Sequence, residues 1–406
     1  MRPIIEKAIA DSCQELFEVN VDPGLTRPEE QFGDYSTNIS LQLSKQLSKN
    51  PRLIGVQLAE ELKTKLADYV SEVSVAGPGF INLKLSDQSL LEELKQKPSK
   101  TQDQLTVVCE YSDPNPFKVL HAGHLYTTVV GDAVSNLIEL AGAEVHRVNY
   151  GGDVGLHVAK TMWAILQLLG GEDPKKLVNV PAEERSDWLA AAYVKGNNAY
   201  ETANGALIEE VKSLNKQIYE LHSSNDHQSN LAQIYWTCRQ WSYEAFDAFY
   251  KRLGTNVERY YPESEVAKIG LELVNQQTGK VFKRSDGAIV FDGEAYGLHT
   301  RVFVNRQGLP TYEAKEVGLV VKKYDDYSFD HSVVITANEQ AEYMAVVYKA
   351  IEQFLPELAN SSTYVSHGMV RLAGGTKMSS RKGNIVRASE VLDLTTESSI
   401  KLIGKQ

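Results

Sequence analysis

Apolar residues recur at helical spacing from the start of the chain, where Ile4, Ile5, Ala8, Ile9 and Leu16 mark one face. A second amphipathic stretch follows Phe32-Gly33-Asp34, and a third runs from Pro51 to Leu66. The period then shortens to two. Val73 and Val75, followed by Ile81, Leu83 and Leu85, read as two short strands around the turn Gly77-Pro78-Gly79. Lys95 to Gln104 is polar, contains Pro98 and reads as a linker, so residues 1–100 form a small α/β domain in this reading.

The next stretch has a different rhythm. A β-rich run, Leu105 to Tyr111, leads into a polar loop and then a helical pattern from Leu125 to Leu140, ended by Gly142. Val145 to Tyr150 is short and alternating, and it stops at Gly151-Gly152-Asp153. Strand, helix, strand in this order is the βαβ unit of a nucleotide-binding, doubly wound parallel sheet. Residues from about 156 to 250 are mostly helical in pattern, broken at Gly170-Gly171 and by the polar run Ser223 to Ser229. They read as a helical insertion between the two halves of the sheet, with a second α/β stretch over 287–395. The fold expected is α/β: a Rossmann-like catalytic domain over 101–395 behind the small N-terminal domain, with 396–406 opening a further helical region.

A chain of 406 residues suits two or three domains rather than one core. Its net charge of −11 argues against a protein that coats nucleic acid, although a basic strip can sit within an acidic whole. Cys13, Cys109 and Cys238 lie far apart, without ligand-like spacing, as free thiols do in a reducing compartment. No apolar run approaches membrane-spanning length, and MRPIIEKAIADS lacks the apolar core of a signal peptide. A cytoplasmic protein without membrane partners is the expectation.

Two segments carry candidate chemistry. After the first strand comes Ser112-Asp113-Pro114-Asn115-Pro116-Phe117-Lys118-Val119-Leu120-His121-Ala122-Gly123-His124. The paired histidines open a helix, where free N–H groups and the dipole favour phosphate, and Gly123 lets a nucleotide approach the backbone. Standing alone, H-x-G-H reads equally well as surface or capping histidines. Far downstream lies Gly374-Gly375-Thr376-Lys377-Met378-Ser379-Ser380-Arg381-Lys382-Gly383-Asn384. Its cations suit the charge of a triphosphate, although a solvated basic turn has the same composition. The two motifs on two halves of one fold are more specific than either.

Together they resemble the HIGH and KMSKS motifs of class I aminoacyl-tRNA synthetases. The first loop is similar to the S-x-P-N-x-x-K-P-x-H-x-G-H-L pattern of arginyl-tRNA synthetases apart from its second proline, and K-M-S-S-R-K-G resembles that family's K-M-S-T-R-K-G. Asn149-Tyr150-Gly151-Gly152-Asp153-Val154-Gly155 is similar to its N-x-x-G-D-W-G, with Val154 for tryptophan. Phe32-Gly33-Asp34-Tyr35 and Ala76-Gly77-Pro78-Gly79-Phe80-Ile81-Asn82 resemble its N-terminal domain, which contacts the tRNA elbow.

The resemblance implies ATP-dependent activation of arginine and its transfer to tRNA(Arg). His121, His124, Lys118, Lys377 and Arg381 would stabilise charge, with Lys118 replacing the KMSKS lysine at whose place Ser380 stands. Gly123, Gly152, Asp153, His367, Gly368, Met369, Val370, Met378, Ser379 and Ser380 would face ATP. Glu110, Asn115, Tyr312, Glu316 and Gln340 match the arginine-binding positions, although Asp is usual where Glu316 stands.

Carboxylates and amides converging from several elements are what a guanidinium needs. Thr311 reads as the N-cap of a helix that puts Tyr312 and Glu316 on one face, and Gln340 opens the helix after strand Ser332 to Thr336. Bland readings stand beside these. Glu316 also reads as a solvated charge near Lys315 and Lys322, Tyr312 as a core aromatic and His367 as a satisfied core histidine.

Mg²⁺ is implied through ATP rather than a protein cage, with no zinc, and the chain is expected to be a monomer. Family members continue into an anticodon-binding domain, whereas this chain stops at Gln406, so a fragment or a weakly active chain is expected. The rival readings are another class I nucleotidyl-transferring synthetase and a non-catalytic arginine- or ATP-binding module.

Overall fold

The computed structural model describes residues 1–98, 100–202, 205–370 and 386–404. The chain divides into two compact units, Met1–Pro98 and Ser99–Gln406.

The first unit runs α1 (Arg2–Phe17), β1 (Tyr35–Thr37), α2 (Ile39–Leu47), α3 (Pro51–Lys65), β2 (Val70–Ala76), β3 (Phe80–Leu85) and α4 (Asp87–Lys95). Its antiparallel sheet has the order β1-β3-β2. Helix α3 begins where Asn50 accepts a hydrogen bond from the Arg52 amide and Pro51 takes the first helical position. The Phe32-Gly33-Asp34 turn is sewn to β3, since the Asp34 amide donates to the Leu83 carbonyl at 2.9 Å and its carboxylate accepts from the Leu85 amide at 2.7 Å. Ile5, Ile9, Leu58, Leu62, Ile81 and Leu83 belong to a core confined to this unit.

In the second unit the strands and helices are β4 (Thr106–Glu110), α5 (Ala122–Leu140), β5 (Glu144–Gly151), α6 (Leu156–Leu169), α7 (Arg185–Glu201), α8 (Gly205–Ser223), α9 (Asn230–Leu253), β6 (Arg259–Pro262), α10 (Glu263–Gln276), β7 (Lys283–Ser285), β8 (Ala288–Phe291), β9 (Arg301–Val304), α11 (Tyr312–Tyr327), β10 (His331–Ala337), α12 (Ala341–Glu352), α13 (Pro356–Asn360), β11 (Ser362–His367) and α14 (Ala388–Ile403).

Five strands pair in parallel in the order β11-β10-β4-β5-β6. Val107, Val108 and Cys109 are buried in succession, as a strand covered on both faces requires. The chain winds outward from β4 through β5 to β6, then returns to lay β10 and β11 on the other side. That leaves a crevice above the ends of β4 and β10, where open α/β sheets take their ligands.

Helices α6 to α9 pack around Val158, Met162, Ile165, Ile218, Ile234 and Tyr235 as a cluster of their own. This helical insertion falls between β5 and β6, one strand earlier than the boundary between sheet halves expected from the sequence. The second α/β stretch therefore starts at Arg259 rather than 287. Strand β6 is four residues long and ends in Pro262, too short to show alternation. A small antiparallel sheet, β7-β8-β9, precedes α11.

Candidate active site

The loop after β4 is wound tightly. Ser112, Asp113 and Phe117 all adopt positive φ, at 74°, 47° and 67°, conformations that cost non-glycine residues about 1–3 kcal/mol each. Neighbouring elements hold each of them. The Ser112 hydroxyl meets the Tyr250 hydroxyl at 2.9 Å, and the Asp113 carboxylate accepts from the Tyr150 amide at 2.9 Å. The Phe117 amide donates to the Ser242 hydroxyl at 2.9 Å, while its ring lies 5.5 Å from that of Tyr235 in the core of the insertion. Helix α9 thus clamps the loop that carries Lys118.

His121 is the N-cap of α5, and its Nδ1 accepts from the Gly123 amide at 3.1 Å. The His124 Nδ1 accepts from the His121 amide at 3.2 Å, and the two rings stack 3.9 Å apart. With both Nδ1 atoms accepting, each neutral ring carries its proton on Nε2. Burial, then the Lys118 charge, lowers the His121 pKa. Burial, His121 and Lys118 push His124 well below its ordinary value. The pair therefore caps the helix and also presents neutral N–H donors at a helix N-terminus.

A cavity of about 650 Å³ opens over the crevice, and its lining includes Glu110, Asp113, Asn115, Lys118, His124, Gly152, Tyr312, Glu316 and Gln340. Glu110, 2 % exposed, pairs with Lys323 Nζ at 2.6 Å, and that ammonium also donates to the Ser332 hydroxyl at 3.2 Å. The Asn115 side-chain oxygen accepts from the Gly152 amide at 2.8 Å. A Cβ on Gly152 would lie 2.7 Å from that same oxygen and would push the Asn115 side chain aside.

Thr311 is the N-cap of α11 without a side-chain cap, because its hydroxyl donates to the Val302 carbonyl at 2.6 Å instead. Tyr312 and Glu316 follow a turn apart on the cavity side, and Gln340 is the N-cap of α12. Lys315 turns to a buried ion pair with Glu263 rather than to Glu316. Burial first, then the Glu110 charge, raises the Glu316 pKa to about 8. The same two causes lift Asp113 well above the carboxylate range.

Not every expected residue reaches this cavity. Asp153 is fully buried, and its carboxylate is taken up by Arg239 Nε at 3.0 Å and by the Ser264 amide and hydroxyl at 2.9 and 2.7 Å. It ties α9 to the start of α10 and is not among the residues that line the cavity. His367 ends β11 with its Nε2 2.9 Å from the Thr127 hydroxyl and its ring edge-on to Tyr126, beside the first turns of α5. Gly368, Met369 and Val370 follow it and are not among the lining residues.

Lys377, Met378, Ser379, Ser380 and Arg381 lie outside the described residues. The chain just beyond them is pinned to the histidine loop. The Ala122 amide donates to the Val386 carbonyl at 2.8 Å, and the Ala388 amide to the Leu120 carbonyl at 3.0 Å.

Asp113, Tyr150, Glu263 and Tyr343 line the cavity without having been singled out. The signal available for Tyr343 was its spacing of one helical turn from Gln340. Asp113 read only as loop polarity.

A five-stranded parallel sheet with its cavity at the winding crossover, and stacked histidines opening the first helix beside it, has the architecture of a class I aminoacyl-tRNA synthetase catalytic domain. The family model for the catalytic domain of class I (R) tRNA synthetases matches residues 86–406, and the model for the arginyl tRNA synthetase N-terminal domain matches residues 3–85. The chain belongs to the arginyl-tRNA synthetase family.

It is 27% identical to the arginine–tRNA ligase of Amoebophilus asiaticus over 99% of this chain and 70% of that protein. With the Porphyromonas gingivalis ligase the identity is 26%, over 96% and 68%. Among solved structures, the arginyl-tRNA synthetase of Thermus thermophilus superposes with a TM-score of 0.65 at 24% identity, over 99% of this chain and 71% of that one. That of Plasmodium falciparum gives 0.61 at 19%, over 90% and 64%. These two likenesses establish the fold.

Proposed function

We propose that this chain activates arginine with ATP as arginyl-adenylate and passes the arginyl group to the 3′ end of tRNA(Arg). One observation carries the reading. The carboxylates of Glu110 and Glu316, the amides of Asn115 and Gln340, and the histidine-bearing opening of α5 converge on a single cavity. A guanidinium keeps its charge at any physiological pH and binds best to planar acceptors.

In the first step the arginine carboxylate forms a bond to the α-phosphate as pyrophosphate leaves. That carboxylate is already a nucleophile, so the protein contributes positioning and charge stabilisation. His121 and His124 donate N–H from neutral rings. Lys118, with Lys377 and Arg381, supplies the positive charge those rings lack. Gly123, Gly152, the His367 to Val370 segment and the Met378 to Ser380 segment serve the ATP side, and Asp153 serves it indirectly through α10. Mg²⁺ neutralises phosphate charge when bound with ATP. In this reading the phosphates hold it, and no zinc takes part.

The reading assigns tRNA contact to residues 1–100, catalysis to 101–395 and the start of a further helical region to 396–406. It places a monomer in the cytoplasm, and three unpaired, buried cysteines suit a reducing compartment.

Replacing one donor of this kind costs ~10²-fold or more in rate. His124→Ala is therefore expected to slow arginine-dependent ATP–pyrophosphate exchange by at least that factor. Exchange near the unsubstituted rate would remove His124 from the step. Thermal shifts no larger with arginine than with lysine or citrulline would remove the ligase reading itself.

A further inference from the structure

Two phenols in the cleft lack a full set of hydrogen-bond partners among the described residues. Tyr150 lies near the end of β5 and Tyr343 in the first turn of α12, and both line the cavity. Both hydroxyl oxygens are buried, and neither meets a partner at regular hydrogen-bond geometry among the described residues. The Tyr343 hydroxyl lies within donating reach of the Glu316 carboxyl and favours its ionised form, so it is the accepting side of that oxygen that is unused, and Tyr150 feels the charges of Glu263 and Glu316. Burial, then those carboxylates, pushes both phenols well above their ordinary pKa, so they stay protonated.

Native proteins pair nearly all their buried polar atoms, because an unpaired one costs free energy. Orphan hydroxyls on a cavity wall therefore point to a ligand that supplies the missing partner. A phenol oxygen accepts one N–H while its proton is donated elsewhere. A guanidinium presents five N–H groups, and two carboxylates gripping it edge-on pair with at most four. At least one donor is left over.

We infer that Tyr150 and Tyr343 are specificity-determining residues that accept N–H groups of bound arginine left unpaired by Glu110 and Glu316. Each hydroxyl then turns its proton toward a neighbouring carboxylate, Tyr150 toward Glu263 and Tyr343 toward Glu316. The inference rests on the ligase reading and deepens it.

Tyr150→Phe and Tyr343→Phe separate a binding role from a structural one, because the two roles move different quantities. Removing the unpaired Tyr150 hydroxyl leaves the ligand-free unfolding midpoint unchanged or raises it, while the Tyr343 change is read on arginine affinity. The same change is expected to weaken the calorimetric dissociation constant for arginine by about tenfold or more, the scale of a hydrogen bond to a charged group. A lowered ligand-free midpoint with unaltered arginine affinity would make the hydroxyls structural and overturn the inference. So would variants unchanged on both measures, while arginine uptake by the unsubstituted protein kept the ligase reading intact. No uptake by the unsubstituted protein would end both.

Discussion

At Glu316 burial and neighbouring charge act in the same direction. Its carboxyl shares the cavity wall with Glu110, Asp113 and Glu263, and removal from water, then the Glu110 charge, raises its pKa to about 8. A raised carboxyl pKa stabilises the fold below the ordinary carboxylate range, and that contribution is lost as pH climbs through about 8. Without added arginine, the protein is therefore expected to lose unfolding midpoint across this window. A guanidinium reverses the balance by favouring the carboxylate, so arginine binding expels a proton.

Arginine affinity should accordingly rise by up to about tenfold per pH unit below that pKa and level off above it. Calorimetry in buffers of different ionisation enthalpy counts the released protons directly. A pH-independent dissociation constant, with no proton released, would contradict this. From sequence, Glu316 looked as much like a solvated partner of Lys315 as a ligand, and the resemblance rather than the spacing decided it. Asp113, Tyr150 and Tyr343 are illegible in the sequence because polarity alone does not reveal which groups end up buried in a cavity wall. Asp153 shows the converse: a motif residue whose carboxylate Arg239 and Ser264 claim.

Among the elements, α11 matters most, because one helix presents both Tyr312 and Glu316. Its position is set by α10, which crosses it at two glycines. A Cβ on Gly270 would fall 1.8 Å from the Ala314 carbonyl oxygen, and one on Gly318 would fall 2.2 Å from that of Val266. Neither backbone can yield without separating the helices. Gly270→Ala is thus expected to destabilise the protein by about 1–3 kcal/mol, the usual cost of overpacking. It should also weaken arginine binding more than ATP binding, since α5 is untouched. Denaturant titration with parallel calorimetry measures both, and equal losses for the two ligands would mean that α11 does not shift.

The sequence shows the longer elements plainly: α3 and α5 carry a helical period over many residues, β5 alternates, and β4 is a continuous apolar run. It concealed β6, whose pairing with β5 bridges the whole helical insertion and leaves no local trace. The insertion's grip on the histidine loop, through Ser242 and Tyr250, was equally invisible. Both contacts join residues far apart in the chain.

At the scale of the molecule the two units have different tasks in the proposed reaction, and the division can be tested physically. Among the described residues, those lining the cavity lie between Glu110 and Met344, within the second unit. The first unit, Met1–Pro98, has its own core around Ile5, Ile9, Leu58 and Leu83, whose described members all belong to that unit. A domain of this size with a complete core folds by itself. Expressed alone, it is expected to unfold in urea as one cooperative transition with a slope of about 1–3 kcal/mol/M. Deleting it should leave the arginine dissociation constant unchanged while weakening tRNA(Arg) binding, because the groups proposed to hold the amino acid remain and the proposed RNA contacts are gone. A shallow, non-cooperative melt of the isolated unit would deny it independence. Loss of arginine affinity on deletion would show that the cavity depends on residues beyond those that line it, and unaltered tRNA affinity would take RNA contact away from the first unit.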